Sequence, residues 1–254
     1  MTHAPWLVLL RHGHSEWNLS DRFTGWSDIP LTAIGLAEAT QAGCRLVASG
    51  YAFDAVHGSI LVRARQTAQA LLTAMATPDV PYYASWRLNE RHYGVLQGMN
   101  KQEIFRTWGE EASRRWWRGY FEPPPALDWD DPRHPRFDAK YLGIDPATLP
   151  ASESLRDCQA RMLPYWRGVL QPALRAGRRL LVVSHGNTLR GLVMELDGLS
   201  AEAMEKVEIA SGVPLVYRFD LDGSVAGREW LDMRVVEPPG WLRRLPDPAP
   251  VPGA

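Results

Sequence analysis

Cysteine is scarce in this chain: Cys44 and Cys158 are the only two in 254 residues. They form neither a CxxC pair nor part of a metal-binding cluster, which excludes a disulfide framework and points to a reduced, cytoplasmic protein. Lysine is nearly as rare. Lys101, Lys140 and Lys206 stand among 28 basic residues, the rest being arginine. A lone arginine therefore says little, and each lysine says more. An excess of one charge is also missing: the net charge is -1, so no nucleic-acid or anionic-membrane footprint spans the chain. No apolar run approaches the roughly 20 residues of a membrane span. The run Trp6 to Leu10 is cut short by Arg11 and His12 with no basic region before it, and reads as a strand rather than a signal peptide. There is no P-loop glycine pattern and no carboxylate cluster with metal-ligand spacing.

What the chain does have is a repeated phrase. Leu7-Val8-Leu9-Leu10-Arg11-His12-Gly13 is echoed by Leu180-Leu181-Val182-Val183-Ser184-His185-Gly186. Each is an apolar run of buried-strand length that ends in a histidine and a glycine. Helix starters follow: Ser15 in one case, Asn187 and Thr188 in the other. Further strands are expected at Phe53 to Ser59 and Leu215 to Asp220, with a hairpin partner at Val225 to Leu231 after Asp222-Gly223. Helices are expected from Leu31 to Gly50, capped by Thr32 with Leu36, Ala39, Gly43 and Leu46 on one stripe, from Arg63 to Met75, from Gln102 to Trp117 and from Thr188 to Leu196. Alternating strands and helices predict an α/β fold, a three-layer sandwich with a mostly parallel, mixed sheet flanked by helices. Residues 90–150 break the pattern with many turn formers and aromatics, as expected of a lid-like insertion over a pocket. The predicted organisation is one domain over residues 1–236 and a flexible proline-rich tail over 237–254, where six of the last seventeen residues are proline.

In an open α/β sheet, ligands sit outside the carboxyl ends of the strands. Two imidazoles placed there could share one pocket. Neutral imidazole is a usable nucleophile near pH 7. Attack on a phosphate requires its charge to be neutralised, which arginine forks can do without a metal. Arg11 beside His12, and Arg63 at a helix start after the second strand, stand where such forks are wanted, with His185 as a second cation. Metal-free phosphohistidine chemistry is the expectation. His14 two residues from His12 is a weak metal signal on a turning segment. Trp17 and Trp26 read as packing residues, His92 as structural, and His3, His57 and His134 have no assignable role.

The wording around these residues carries further. Arg11-His12-Gly13-His14-Ser15-Glu16-Trp17-Asn18, then Arg22-Phe23-Thr24-Gly25-Trp26, resembles the opening of cofactor-dependent phosphoglycerate mutases within the histidine phosphatase superfamily. So do Ser59 to Ala64, Leu88-Asn89-Glu90-Arg91-His92-Tyr93-Gly94, Gln97 to Lys101, Glu153-Ser154-Leu155, Ser184 to Arg190 and Gly212 to Tyr217. The Arg-His-Gly triplet is shared by the whole superfamily; the Asn89 to Gly94 phrase with Asn100-Lys101 after it is specific to the mutase branch. The resemblance implies an isomerase of glycolysis and gluconeogenesis, interconverting 3-phosphoglycerate and 2-phosphoglycerate through a phosphohistidine primed by 2,3-bisphosphoglycerate. It implies no metal, a cytoplasmic location and a homodimer or homotetramer, with no nucleic-acid or membrane partner. By resemblance His12 is the nucleophile, Arg11, Arg63 and His185 hold the transferring phosphoryl group, and Glu90 is general acid and base. Asn18 helps to orient that group, and Thr24, Gly25, Arg91, Tyr93, Lys101, Gly186 and Asn187 hold the rest of the substrate.

Three departures stand out. His14 replaces an acidic residue. Ala210-Ser211 replaces the usual Pro-Thr before Gly212. In Trp116-Trp117-Arg118-Gly119-Tyr120 the family has two adjacent arginines; here only Arg118 remains and Trp117 replaces the first. On a helix Arg114 falls on the face of Arg118, so Arg114 and Arg118 together are expected to bind substrate anions. Two alternatives stay open: a phosphatase of the same superfamily acting on small phosphorylated metabolites, and a non-catalytic phospholigand-binding regulator.

Overall fold

A computed structural model describes residues 5–231 apart from Leu221. The boundary expected at 236/237 and the proline-rich tail lie outside the described residues.

The two repeated phrases become neighbouring strands. β1 (Trp6–Arg11) and β4 (Leu180–Ser184) pair in parallel, with Leu7 opposite Leu180 and Arg11 opposite Ser184. The next residue of each is a histidine, so the register alone sets His12 beside His185. β2 (Ala55–Gly58) and β3 (Tyr82–Ala84) extend the sheet in parallel on one side. β5 (Leu215–Phe219), antiparallel to β1, and β6 (Val225–Trp230) close the other, giving the order β3-β2-β4-β1-β5-β6. The sheet is mixed and mostly parallel, as predicted.

Both faces of the central strands are covered, which is why those strands read as continuous apolar runs. Leu7, Leu9, Leu180 and Val182 point into one core, against Leu155 and Met162 of α6 (Leu155–Tyr165) and Leu189, Leu192 and Val193 of α8 (Gly186–Asp197). Val8, Leu10, Leu181 and Val183 point into the other, against α2 (Ala33–Ala48) and α3 (Val62–Ala74). Each such fully buried side chain contributes about 1.5–3 kcal/mol, so this two-sided burial is the main term holding the central strands in the core.

Helix α2 starts where expected, its Thr32 hydroxyl accepting from Gly35 N. Its buried stripe is Gly35, Ala39, Ala42, Gly43 and Leu46; Leu36, placed on the stripe by spacing, is exposed. α8 begins at Gly186, two residues before the predicted start, so its first turn meets the pocket as well as Arg190 of its second. The helix expected from Gln102 to Trp117 is two, α4 (Lys101–Trp108) and α5 (Glu110–Arg118), because Gly109 adopts φ 79° between them. The remaining short helices are α1 (Glu16–Leu19), α7 (Gln171–Arg175), which follows α6 through the π-helical turn Trp166–Leu170, and α9 (Ala201–Glu205). No strand was expected at β3, nor a helix at α6, α7 or α9. Pro164 and Pro172 punctuate the α6–α7 stretch, and a π-helical turn between them keeps the helix continuous.

Candidate active site

The site forms at the carboxyl ends of β1 and β4, in a cavity of about 480 Å³. His12 leaves the end of β1 fully buried, its ring centroid 4.9 Å from that of His185. Its Nδ1–H donates to the Gly13 carbonyl at 2.7 Å, which leaves the Nε2 lone pair as the nucleophilic position. Gly13 is required here: a Cβ would lie 2.2 Å from the carbonyl oxygen of Gly35, where the loop crosses the first turn of α2. Burial first, then Arg63 and Arg11, hold the His12 imidazole well below its ordinary pKa, so it is neutral at pH 7. Burial and then Arg63 do the same to His185.

Arg63, fully buried on the first turn of α3, is fixed by two carbonyls, donating from Nη1 to Ser27 and from Nη2 to Gly25. Its Nε lies 3.3 Å from His12 Nε2. Burial lowers its pKa to about 10, against the pull of Glu90 and Asp28, and it stays charged. Arg11 Nη1 donates to the Ile209 carbonyl at 2.9 Å. Several buried polar atoms have no hydrogen-bond partner among the described residues: Arg11 Nε, Thr24 Oγ1, Arg190 Nε and both ring nitrogens of His185. Buried polar groups are almost always satisfied. A cluster of them around a cavity is the mark of a site built for an external polar ligand, and donors of this kind suit an oxyanion.

Glu90 follows the strand-end loop after Asn89. Its Oε1 accepts from its neighbour Arg91 N at 2.8 Å and from Asn187 N at 3.1 Å. The carboxylate thus sits at the positive N-terminus of α8. Asn187 also donates from Nδ2 to the Tyr93 hydroxyl and accepts from Arg190 Nη1. Asn18 closes a capping box with Ser15 at the start of α1, which fixes its amide at the pocket wall.

A second group of cations lines the same pocket: Arg22, Lys101, Arg118 and Arg190. Lys101 pairs with Asp21 at 2.8 Å. Trp117 lies between two of these cations, with Lys101 Nζ 5.5 Å and Arg118 Cζ 5.0 Å from its ring centroid. Burial, then Arg118 and Arg91, lower Arg190 to about 10.

Of the residues singled out in the sequence, Arg11, His12, Asn18, Thr24, Gly25, Arg63, Glu90, Tyr93, Lys101, Arg118, Gly186 and Asn187 line the pocket together. His185 lies behind His12. Arg91 is fully buried behind Tyr93, its guanidinium over that ring and donating to the Trp116 and Trp117 carbonyls, so it shapes the wall without lining it. Arg114 does not line the pocket: it is exposed and pairs with Glu110 one turn earlier on α5. His14 donates to Glu38 at 2.7 Å. Among the described residues, no group of three or more histidines, cysteines or carboxylates is arranged to hold a metal. Trp26 packs on Trp86, His92 and Tyr141. The insertion divides: residues 90–118 wall the pocket, while residues 119–150 contribute nothing to its lining and act as a buttress, with Tyr141 accepting from Asn89 Nδ2. Sequence reading missed Arg22, Arg190 and Glu208. Arg190 was findable, lying one helical turn after Gly186-Asn187; Glu208 had no local signal.

The model of the histidine phosphatase superfamily (branch 1) matches residues 7–134 and 126–227. The solved structures of a mycobacterial glucosyl-3-phosphoglycerate phosphatase (22% identical, 92% of this chain and 100% of that one, TM-score 0.64) and an α-ribazole phosphatase from Shigella flexneri (22%, 87% and 93%, 0.62) share the fold. A curated 2,3-bisphosphoglycerate-dependent phosphoglycerate mutase from Nitratidesulfovibrio vulgaris is 51% identical over 214 residues, 84% of this chain and 86% of that protein. The doubled histidine strands, the arginines around them and these matches together place the chain in the histidine phosphatase superfamily, in its 2,3-bisphosphoglycerate-dependent phosphoglycerate mutase family.

Proposed function

We propose that the chain interconverts 3-phosphoglycerate and 2-phosphoglycerate through a phosphohistidine at His12, primed by 2,3-bisphosphoglycerate. The observation that carries this reading is the presence of two cation groups in one pocket, Arg11 and Arg63 at His12, and Arg22, Lys101, Arg118 and Arg190 beyond. Glu90 lines the same pocket, its Oε1 accepting from Asn187 N while the Asn187 side chain accepts from Arg190 of the second group. Simple hydrolysis needs one anion site; a substrate with two anionic ends needs both.

In this reading His12 Nε2 forms the bond to phosphorus as the bond to the donor oxygen breaks. Arg11, Arg63 and His185 take up the charge on the phosphoryl oxygens. Glu90 protonates the leaving oxygen and later deprotonates the accepting hydroxyl. A phosphoryl dianion beside His185 raises that imidazole's pKa again, so phosphate binding and proton uptake are linked. The arginines supply the charge neutralisation that a metal supplies elsewhere. Family membership further supports a cytoplasmic homo-oligomer, which sedimentation at micromolar concentration checks.

The test mixes the protein with 3-phosphoglycerate, a trace of 2,3-bisphosphoglycerate and chelator, and follows 2-phosphoglycerate and free phosphate together. Rapid 2-phosphoglycerate formation with little free phosphate, lost in His12→Ala, is expected. Dominant free phosphate would mean a phosphatase, a reading favoured by Trp117 standing in the second cation group without a charge. Binding with neither product would mean a regulator.

A further inference from the structure

One charge in the pocket is out of place for an anion site. Apart from Glu90, Glu208 is the only acidic residue in the lining among the described residues. It lies on the chain just after α9, and its Oε1 is 2.5 Å from Arg118 Nη2. Its side chain is 75% exposed while that of Arg118 is 31% exposed. Glu208 is therefore free to swing into solvent, and Arg118, laid on the Trp117 ring, is not. The carboxylate occupies the fork that a second anionic group of the substrate would take.

We propose that Glu208 is a specificity-determining residue that exchanges with the substrate for Arg118. It holds Arg118 whenever the second anion is away and gives it up when that anion binds. Two consequences follow from this competition. Every ligand with a second anionic group binds more weakly than it would to a bare Arg118. A ligand without one is spared that cost, so the pocket tolerates uncharged, hydroxyl-bearing far ends. The inference deepens the mutase reading and rests on it. A bisphosphorylated intermediate must let go of both sites in order to turn over end for end, and a carboxylate ready to retake Arg118 favours that release.

Glu208→Gln keeps the shape and removes the competing charge. Exposed charge pairs shift an equilibrium by up to about fivefold, and partly buried ones by more. The expected result is a fall in the KM for 3-phosphoglycerate of about threefold to tenfold, with a fall in kcat because the intermediate is held longer. A residue with a purely structural role would not lower KM. In an Arg118→Met background the same substitution is expected to move KM less than twofold. An unchanged or raised KM in Glu208→Gln, or an undiminished fall without Arg118, would overturn the proposal. Calorimetric titration with pyrophosphate and with orthophosphate runs in parallel, since these ions differ in anionic reach and need no turnover. The ratio of their affinities is expected to rise threefold to tenfold in Glu208→Gln. A protein that formed no 2-phosphoglycerate would refute the mutase reading, while an unmoved ratio would refute the exchange itself.

Discussion

Replacing Arg161 by methionine removes the hub beneath the catalytic loop. Arg161, on α6, forms a bidentate pair with Glu153, Nε to Oε1 at 2.6 Å and Nη2 to Oε2 at 2.9 Å. The same guanidinium donates to the carbonyls of Trp86, Arg87, Asn89 and Glu90. The two side chains are 5% and 3% exposed. Burial alone would lower the pKa of Arg161; Glu153 beside it raises it, so Arg161 stays charged. Methionine fills the volume of the stem and leaves Glu153 as an uncompensated buried carboxylate, which costs about 3–5 kcal/mol. At about 2–4 °C per kcal/mol for a chain of this size, the melting midpoint should drop by about 6–20 °C. Arg161→Lys, which keeps the charge and loses the fork, should fall between. Because two of the freed carbonyls belong to Asn89 and Glu90, kcat should fall while KM changes little. Scanning calorimetry and initial rates on the three proteins decide it. A drop of less than 2 °C in Arg161→Met would place this pair with ordinary surface pairs and refute the hub.

Three further outcomes follow from the site. Glu90→Gln should lower kcat by about 10²–10⁴ with KM little changed, read by initial rates, because the general acid is lost while the hydrogen bonds from Arg91 and Asn187 can persist. Stability should decline below pH 6.5: His57 is held at about 4 by burial, so the unfolded chain takes its proton first, and about 1.4 kcal/mol is lost per pH unit down to about pH 4 for this residue. His12, His92 and His185, also pushed down by burial, act in the same direction; urea unfolding at pH 7 and pH 5 checks it, and equal free energies would contradict it. Arg114→Ala should change the KM for 3-phosphoglycerate less than twofold, since Arg114 pairs with Glu110 outside the pocket; a tenfold rise would restore the role its helix spacing suggested.

What could be read from the sequence was whatever repeats or lies close in sequence. The doubled strand-histidine phrase carried the parallel pairing of β1 and β4, and with it the meeting of His12 and His185. Thr32, Ser15 and Gly223 marked a helix start, a cap and a hairpin turn through local hydrogen bonding alone. Residues whose role depends on partners far away were not legible. Arg161 looks like any other arginine in an arginine-rich chain until Glu153 and four carbonyls surround it. Glu208 acquires meaning only beside Arg118. Arg114 lies on the same helix as Arg118, as its spacing indicated, but the pairing of its guanidinium with Glu110 outside the pocket has no signal in the spacing.

The pairing of β1 with β4 also bears on how the protein comes to be active during synthesis. His12 is made before His185, and residues 13–184 lie between them, so the strand that sets His185 against it is made much later. Closing so long a loop is slow and entropically costly, and it cannot precede translation of β4. The nascent chain therefore carries His12 without the paired strand, the helix N-terminus at Glu90 or the second histidine. Phosphoryl chemistry switches on with completion of the sheet, so activity in this fold reports that the central strands have paired.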